Sequence, residues 1–323
     1  MKLYLPNSAN LQNIEGFFKR YSPKGPKTLQ FKMHDRYVHV HPAALAMAAC
    51  LGEAAHLAGV TLRGRVRRVR SLPYLIRMGL FPFLRLDPGQ EIAGHEEAGR
   101  FIPLTQIRNN EELKAAIVNV IPLLHAESEI ANPIRYLFSE LVRNALEHAR
   151  SPVGAFVCAQ YYRNSERLSI GVADAGRGIR ASITEHHPVT SAMEAIALAL
   201  QPGVTGVTRR IGGNESNAGA GLFFTKGIAR LSRNYFIIYS DDCLFKLLRG
   251  PESGDPVLYT DPADDPHFFT IGLPEWRGTV VGIDISVAPG SSFSELLSAI
   301  DKAYDLDVKK RKKAYYKMIQ FLK

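Results

Sequence analysis

Hydrophobic and polar positions alternate with different periods along the chain, and the changes of period divide it into four stretches. Residues 1–106 carry two strand-like runs, LQFKM and YVHVHP, followed by AALAMAACLGEAAHLAG, whose alanines and leucines suit a buried helix. VTLRGRVRRVR, the proline-bounded SLPYLIRMGLFPFLRL and the polar loop DPGQEIAGHEEAGR come next, so this stretch is expected to form a small α/β domain. Residues 107–131 read as a helical connector: EELKAAIVNVIPLLHA has helical apolar spacing, with Pro122 placed to kink or cut it.

The third stretch, residues 132–290, opens with an N-cap, Asn132, and a proline, Pro133, at the first helical position, where its missing N–H costs nothing. Ile134, Leu137, Phe138, Leu141, Val142, Ala145, Leu146 and Ala149 then draw an apolar stripe that suits a helix lying on a sheet, and Ser151-Pro152 ends it. Glu140, Asn144 and His148, at i, i+4 and i+8, share a second face of that helix. VGAFVCAQYY and RLSIGVAD, joined by RNSE, read as a hairpin. From Gly176 to Gly221 the chain is rich in Gly, Thr, Ser and Asn around one helical insert, SAMEAIALAL, a length that marks a functional loop. FFTKGIARLS reads as a helix, NYFIIYS, KLLRG and PVLYT as strands, and GTVVGIDIS as a last strong strand. In the fourth stretch, residues 291–323, Ser292 and Glu295 form a capping box for a basic C-terminal helix.

Composition narrows the classes. With 46% hydrophobic and 22% charged residues the chain can build a core. Its three cysteines lack C-x-x-C spacing, which argues against a disulfide framework or a cysteine zinc site and fits a reducing cytoplasm. No run approaches the ~18–20 apolar residues of a membrane span, and the start lacks a signal peptide's apolar middle, so a cytoplasmic protein is expected. The net charge of +9 gathers in two places, the alternating Arg63, Arg65, Arg67, Arg68 and Arg70 and the run Lys309 to Lys313. Such runs can meet phosphates but are usually solvated, and no nucleic-acid motif accompanies them, so nucleic acid is the less favoured partner.

Candidate chemistry lies in four pieces in fixed order: ELVRNALEH at 140–148, DAGRG at 174–178, NAGAGL at 217–222 and Gly278-Thr279. Each alone is weak, since Asp and Gly dominate ordinary turns and no P-loop or complete dinucleotide fingerprint is present. Together they offer what bound ATP needs: an acceptor for the adenine amino group, backbone room beside the purine, N–H groups for phosphates, an oxygen ligand for Mg²⁺ and a base.

In this order the pieces resemble the N box, the two glycine boxes and the closing strand of the GHKL ATPase module shared by gyrase, the heat-shock chaperone ATPase, mismatch-repair ATPases and histidine kinases; the resemblance spans residues 132–288. It implies a two-layer α/β sandwich, the Bergerat fold, with a mixed sheet, helices on one face, and ATP under a mobile lid drawn from residues 180–217. By the resemblance Asn144 would coordinate Mg²⁺, Asp174 would accept from adenine, and Gly176 and Gly178 would let backbone pass the base. Gly219 and Gly221 would bring N–H groups to the phosphates, Thr279 would join the adenine network, and His148 is counted with the nucleotide-binding residues. Glu140 would be the general base, since the hydrolysing and serine-kinase branches carry Glu there and ordinary histidine kinases Asn. The Glu-x-x-x-Asn-x-x-x-His spacing is most similar to anti-sigma-factor serine kinases, whose substrate is a small STAS-domain protein, and residues 29–87 loosely resemble such a domain.

His125 lacks a phosphoacceptor's surrounding pattern and reads as structural; Glu185, His186 and His187 read as solvated lid residues and not a metal set. The expectation is therefore a Mg·ATP-dependent regulatory protein, an ATPase or protein serine kinase, acting on a protein partner, with a homodimer also in view. The alternatives are a nucleotide-gated interaction module without turnover and a nucleic-acid-associated ATPase.

Overall fold

The computed structural model describes residues 1–23, 27–90, 101–120, 128–210, 212, 219–250, 253–286 and 293–321. In chain order the elements are β1 (Lys2–Leu5), β2 (Ser8–Ala9), α1 (Glu15–Phe18), β3 (Thr28–Met33), β4 (His39–Val40), α2 (Pro42–Leu57), β5 (Thr61–Gly64), α3 (Leu72–Arg77), α4 (Leu80–Leu84), β6 (Phe101–Ile107) and α5 (Asn110–Val120). They continue with α6 (Ser128–Glu147), β7 (Ala155–Tyr162), β8 (Arg167–Asp174), α7 (Gly178–Thr184), α8 (Ala192–Ala199), α9 (Gly221–Leu231), β9 (Phe236–Asp241), β10 (Cys243–Leu247), β11 (His267–Thr270), β12 (Trp276–Ser286) and α10 (Phe293–Phe321). The chain is thus mixed α/β. Among the described residues no helix is long and apolar enough to cross a membrane.

Seven strands make one sheet in the order β11-β10-β9-β12-β8-β7-β6, and every described pairing in it is antiparallel. This corrects the expected mixed sheet, for a topological reason. β8 and β9 run parallel, as their helical crossover allows, but β12 returns between them and is antiparallel to both. The parallel neighbours are never in contact as a ladder.

Alternation along the strands feeds two cores. Val157, Ile170, Val172, Ile238 and Ile283 meet α6, α8 and α9 on one face. Phe156, Cys158, Ala173, Ile237 and Tyr239 turn to the other face, where they pack with α2 and the N-terminal residues. The helices from α6 to α9 share the first face, and the second is covered from the N-terminal residues: α2, almost wholly apolar, needs burial and finds it against β7, β8 and β12. The approach is close because β8 carries Gly171, where an added Cβ would stand 2.1 Å from the Ala43 backbone nitrogen. His41 caps α2, accepting from the Ala43 N–H at 3.0 Å, and its Nε2 lies 3.3 Å from Asp284 Oδ1 on β12. Burial would raise the Asp284 carboxyl, yet His41, the Ser169 hydroxyl and the Arg167 guanidinium outweigh it and hold the group below the usual carboxylate range.

The N-terminal residues add a parallel sheet, β1-β3-β5, and a two-stranded β2-β4 pair. The expected boundary after residue 106 falls inside β6, which pairs with β7 as an edge of the large sheet. α5 is described as Asn110–Val120, and Pro122, expected to kink or cut it, lies outside the described residues. α6 begins at Ser128, about a turn earlier than the Asn132 cap suggested, so Asn132 is a helical residue and Pro133 falls in the second turn. PVLYT is not a strand: the carbonyls of Val257 and Tyr259 accept side-chain hydrogen bonds from Arg230 and Lys226 instead of ladder partners. The fourth strand of that region is β11, which the sequence pattern did not mark. His125 and Ser292 lie outside the described residues. Cys50, Cys158 and Cys243 are buried and unpaired.

Candidate functional site

α6 is amphipathic, and its apolar stripe on the sheet turns Glu140, Asn144 and His148 toward one cavity of about 280 Å³. The same cavity is lined by Asp174 at the end of β8, Gly178 at the start of α7, Gly219 and Gly221 at the start of α9, and Thr279 on β12. Eight of the nine expected site residues thus converge from segments up to 139 residues apart, the separation of Glu140 and Thr279. Gly176 is the exception. It lies behind the turn, where an added Cβ would stand 2.0 Å from the Ala149 carbonyl oxygen, so its lack of a side chain serves the packing of the turn on the end of α6.

The Asp174 turn is held from several sides. Gly176 N–H donates to Asp174 Oδ1 at 2.8 Å, and the Trp276 indole N–H donates to the Asp174 carbonyl at 3.2 Å. Arg177 Nε donates to the His148 carbonyl at 2.8 Å, tying the turn to the helix that carries Glu140 and Asn144. Gly178 adopts φ +78°, a left-handed backbone that favours glycine, and the next N–H, of Ile179, donates to Ser240 Oγ at 3.0 Å. Burial raises the Asp174 carboxyl to about 7, partly offset by the Gly176 and Thr279 N–H groups.

Glu140 and Asn144 face the first residue of α9. A Cβ at Gly221 would stand 2.9 Å from Glu140 Oε2 and 3.0 Å from Asn144 Nδ2. Asn144 Nδ2 is buried without a hydrogen-bond partner, an uncommon state for an amide and one that a polar ligand in the cavity would relieve. Burial raises the Glu140 carboxyl above its ordinary range, opposed by Arg143, whose Nη1 lies 3.2 Å from Glu140 Oε1. A helix N-terminus, a carboxylate and a carboxamide at one point make a place for an anion with its cation.

α9 is itself anchored by the region before β12. Lys226 Nζ, fully buried, donates to Asp265 Oδ2 at 2.5 Å and to the Tyr259 carbonyl at 2.8 Å, and Arg230 Nε lies 3.5 Å from Asp265 Oδ1. The segment between β10 and β12 therefore fixes the helix whose first turn borders the cavity.

Residues 180–210 of the expected lid are more ordered than a loop, since they contain α7 and α8, and residues 213–217 lie outside the described residues. Val204, Thr205 and Gly206 line the cavity, and the Gly203 N–H donates to the Gly219 carbonyl at 3.1 Å. Glu185 is ion-paired with Arg177 in the Asp174 turn, and His187 Nε2 donates to the Thr205 carbonyl at 3.2 Å, so Glu185 ties the lid to that turn and His187 makes a tie within the lid. Tyr136, Arg143, Ser240 and Trp276 are the site residues that sequence reasoning missed. Only Arg143 had a signal, three residues after Glu140 on the same helix. No family model and no curated protein sequence matches this chain.

Proposed function

We propose that this protein binds Mg·ATP in the cavity between α6, the Asp174 turn and the start of α9, and that it is a regulatory ATPase or protein serine kinase of the GHKL type. The observation that carries the reading is the convergence of Glu140, Asn144, Asp174, Gly178, Gly219, Gly221 and Thr279 on one cavity. Asp174, buried and backed by two N–H groups, accepts the adenine amino hydrogen. The first N–H groups of α9 meet the phosphates. Mg²⁺ fits the oxygen of Asn144, with Glu140 beside it, because this ion takes few protein ligands and completes its shell with phosphate and water. When bound, it neutralises phosphate charge. Glu140, raised by burial, is suited to accept a proton from water or a serine hydroxyl.

Calorimetric titration with a non-hydrolysable ATP analogue and Mg²⁺ tests this. Saturable binding that is lost in Asp174→Asn supports the reading, and absence of binding to the wild type overturns it. A second reading, nucleotide-gated partner binding with negligible turnover, is favoured by the Glu140–Arg143 contact, which engages the base. Glu140→Ala decides between them: turnover falls by at least about 10²-fold with ATP binding retained if Glu140 is the base, the usual scale of such a group, and is unchanged if the protein is a gate.

A further inference from the structure

A row of side chains at i+4 steps along α10 serves two different neighbours. Ile300, fully buried, packs on α9, where a Cβ at Gly227 would stand 3.1 Å from its Cδ1. The Tyr304 ring meets those of Phe223 and Phe224 at 6.2 and 5.9 Å between centroids. The row then runs on through Val308 to Lys312, with Arg311 beside it, and there it leaves α9 for the lid. Arg311 Nη1 donates to the Pro202 carbonyl at 2.9 Å. A Cβ at Gly203 would stand 3.0 Å from Val308 Cγ2, and one at Gly212 would stand 3.2 Å from Val308 Cγ1 and 2.9 Å from Lys312 Nζ, so bare backbone lets the helix sit this near.

The segment held in this way is a wall of the cavity. The Gly212 N–H donates to the Gly203 carbonyl at 2.9 Å, the Gly203 N–H donates to the Gly219 carbonyl at 3.1 Å, and Val204, Thr205, Gly206 and Gly219 line the cavity. One helix therefore fixes both α9, whose first turn borders the cavity, and the lid residues that border it elsewhere. Its two grips are unequal. On α9 it buries Ile300 and shares aromatic contacts; on the lid it has one valine, one charged hydrogen bond and a lysine. The lid end also carries five successive cations, Lys309 to Lys313, against Asp305, 4.0 Å from Lys309 Nζ, and Asp307, 3.6 Å from Arg311 Nη1. Like charges three and four residues apart disfavour a helix, so this is the end that lets go first.

We infer that α10 is a strap that holds residues 202–206 against the cavity, and that release of its basic end sets how fast the cavity's ligand enters and leaves. Arg311 is the positioning residue of the strap: it touches no part of the cavity and acts through the Pro202 carbonyl on the Gly203–Gly219 link. That the ligand is a nucleotide rests on the function proposed above; the hold on the lid does not.

Hydrogen–deuterium exchange of the full chain without nucleotide reads the hold directly, and displacement of bound methylanthraniloyl-ATP by excess ATP reads its effect on the site. In Val308→Ala/Arg311→Ala the amides of residues 203–206 are expected to exchange at least about tenfold faster, the scale of one lost charge-assisted hydrogen bond, and the bound nucleotide to leave faster by a similar factor. Arg311→Lys, which keeps a charged donor, should show a smaller change than Arg311→Ala. Lys309→Ala/Lys310→Ala, at two exposed positions, should stay within about twofold of the wild type. Unchanged lid exchange overturns the inference. So does equal loosening of α9, which would make α10 a packing element alone, or faster lid exchange with nucleotide release unaltered. Faster lid exchange in a chain that binds no nucleotide supports the strap and overturns only the nucleotide reading.

Discussion

Asp174 is a carboxylate that the fold keeps near the neutral boundary, since burial lifts it to about 7 against the pull of two backbone N–H groups. The ionised carboxyl is the stronger acceptor for an adenine amino group, so the sign follows: affinity is full above about 7 and declines as the pH falls through it. Nucleotide affinity at pH 6 is expected to be about tenfold below that at pH 8, one pKa unit corresponding to a factor of ten. Titration calorimetry at the two values checks this, and a flat profile would mean that Asp174 does not meet the base. Gly221 gives a second residue-scale expectation. Gly221→Ala pushes a methyl against Glu140 and Asn144, whose flexible ends can give way, so stability changes by less than about 1 kcal/mol while nucleotide affinity falls at least about tenfold. At this scale the sequence was most legible where local periodicity decides. Four-residue spacing alone sets Glu140, Asn144 and His148 on one face, and an Asp-x-Gly-x-Gly run is a turn in almost any setting. Ser240 and Trp276 were illegible because their partners, Ile179 and Asp174, are 61 and 102 residues away and become neighbours only when β12 pairs with both β8 and β9.

Among elements, α9 depends on side chains it does not own. Lys226 is held below the usual lysine range by burial, which Asp265 opposes, and the pair sits at the contact of α9 with the segment before β11. Asp265→Ala leaves that cation buried without its partner and is expected to cost about 3–5 kcal/mol in urea unfolding, whereas Lys226→Met combined with Asp265→Leu should recover much of the loss. A small effect in the single variant would show that water reaches Lys226. The same contact explains why PVLYT misled: a β-prone composition marks a strand only if its carbonyls enter a ladder, and here those of Val257 and Tyr259 accept from α9. β7, β8 and β9 were legible because each is long and its neighbours follow quickly, whereas the four-residue β11 lies beyond a polar stretch that offered no period.

For the whole molecule, the apolar composition of α2 announced a buried helix but not what buries it. The second layer on the large sheet was therefore invisible until β8 supplied Gly171 and β12 supplied Asp284 as its docking points. Gly171→Ala sets a methyl 2.1 Å from the Ala43 nitrogen, on backbone that cannot swing aside, and is expected to cost about 3 kcal/mol, the top of the usual overpacking range. Urea denaturation followed by far-ultraviolet circular dichroism measures it, and a variant as stable as the wild type would show that α2 can shift off the sheet. The position of β12 has a consequence in time. The strand that fills the middle of the seven-stranded sheet is the last of them to leave the ribosome, so β8 and β9 emerge with a gap between them and wait for residues 276–286. Thr279 and the Trp276 indole arrive with that strand, which makes completion of the cavity and closure of the sheet a single late event in the birth of the chain.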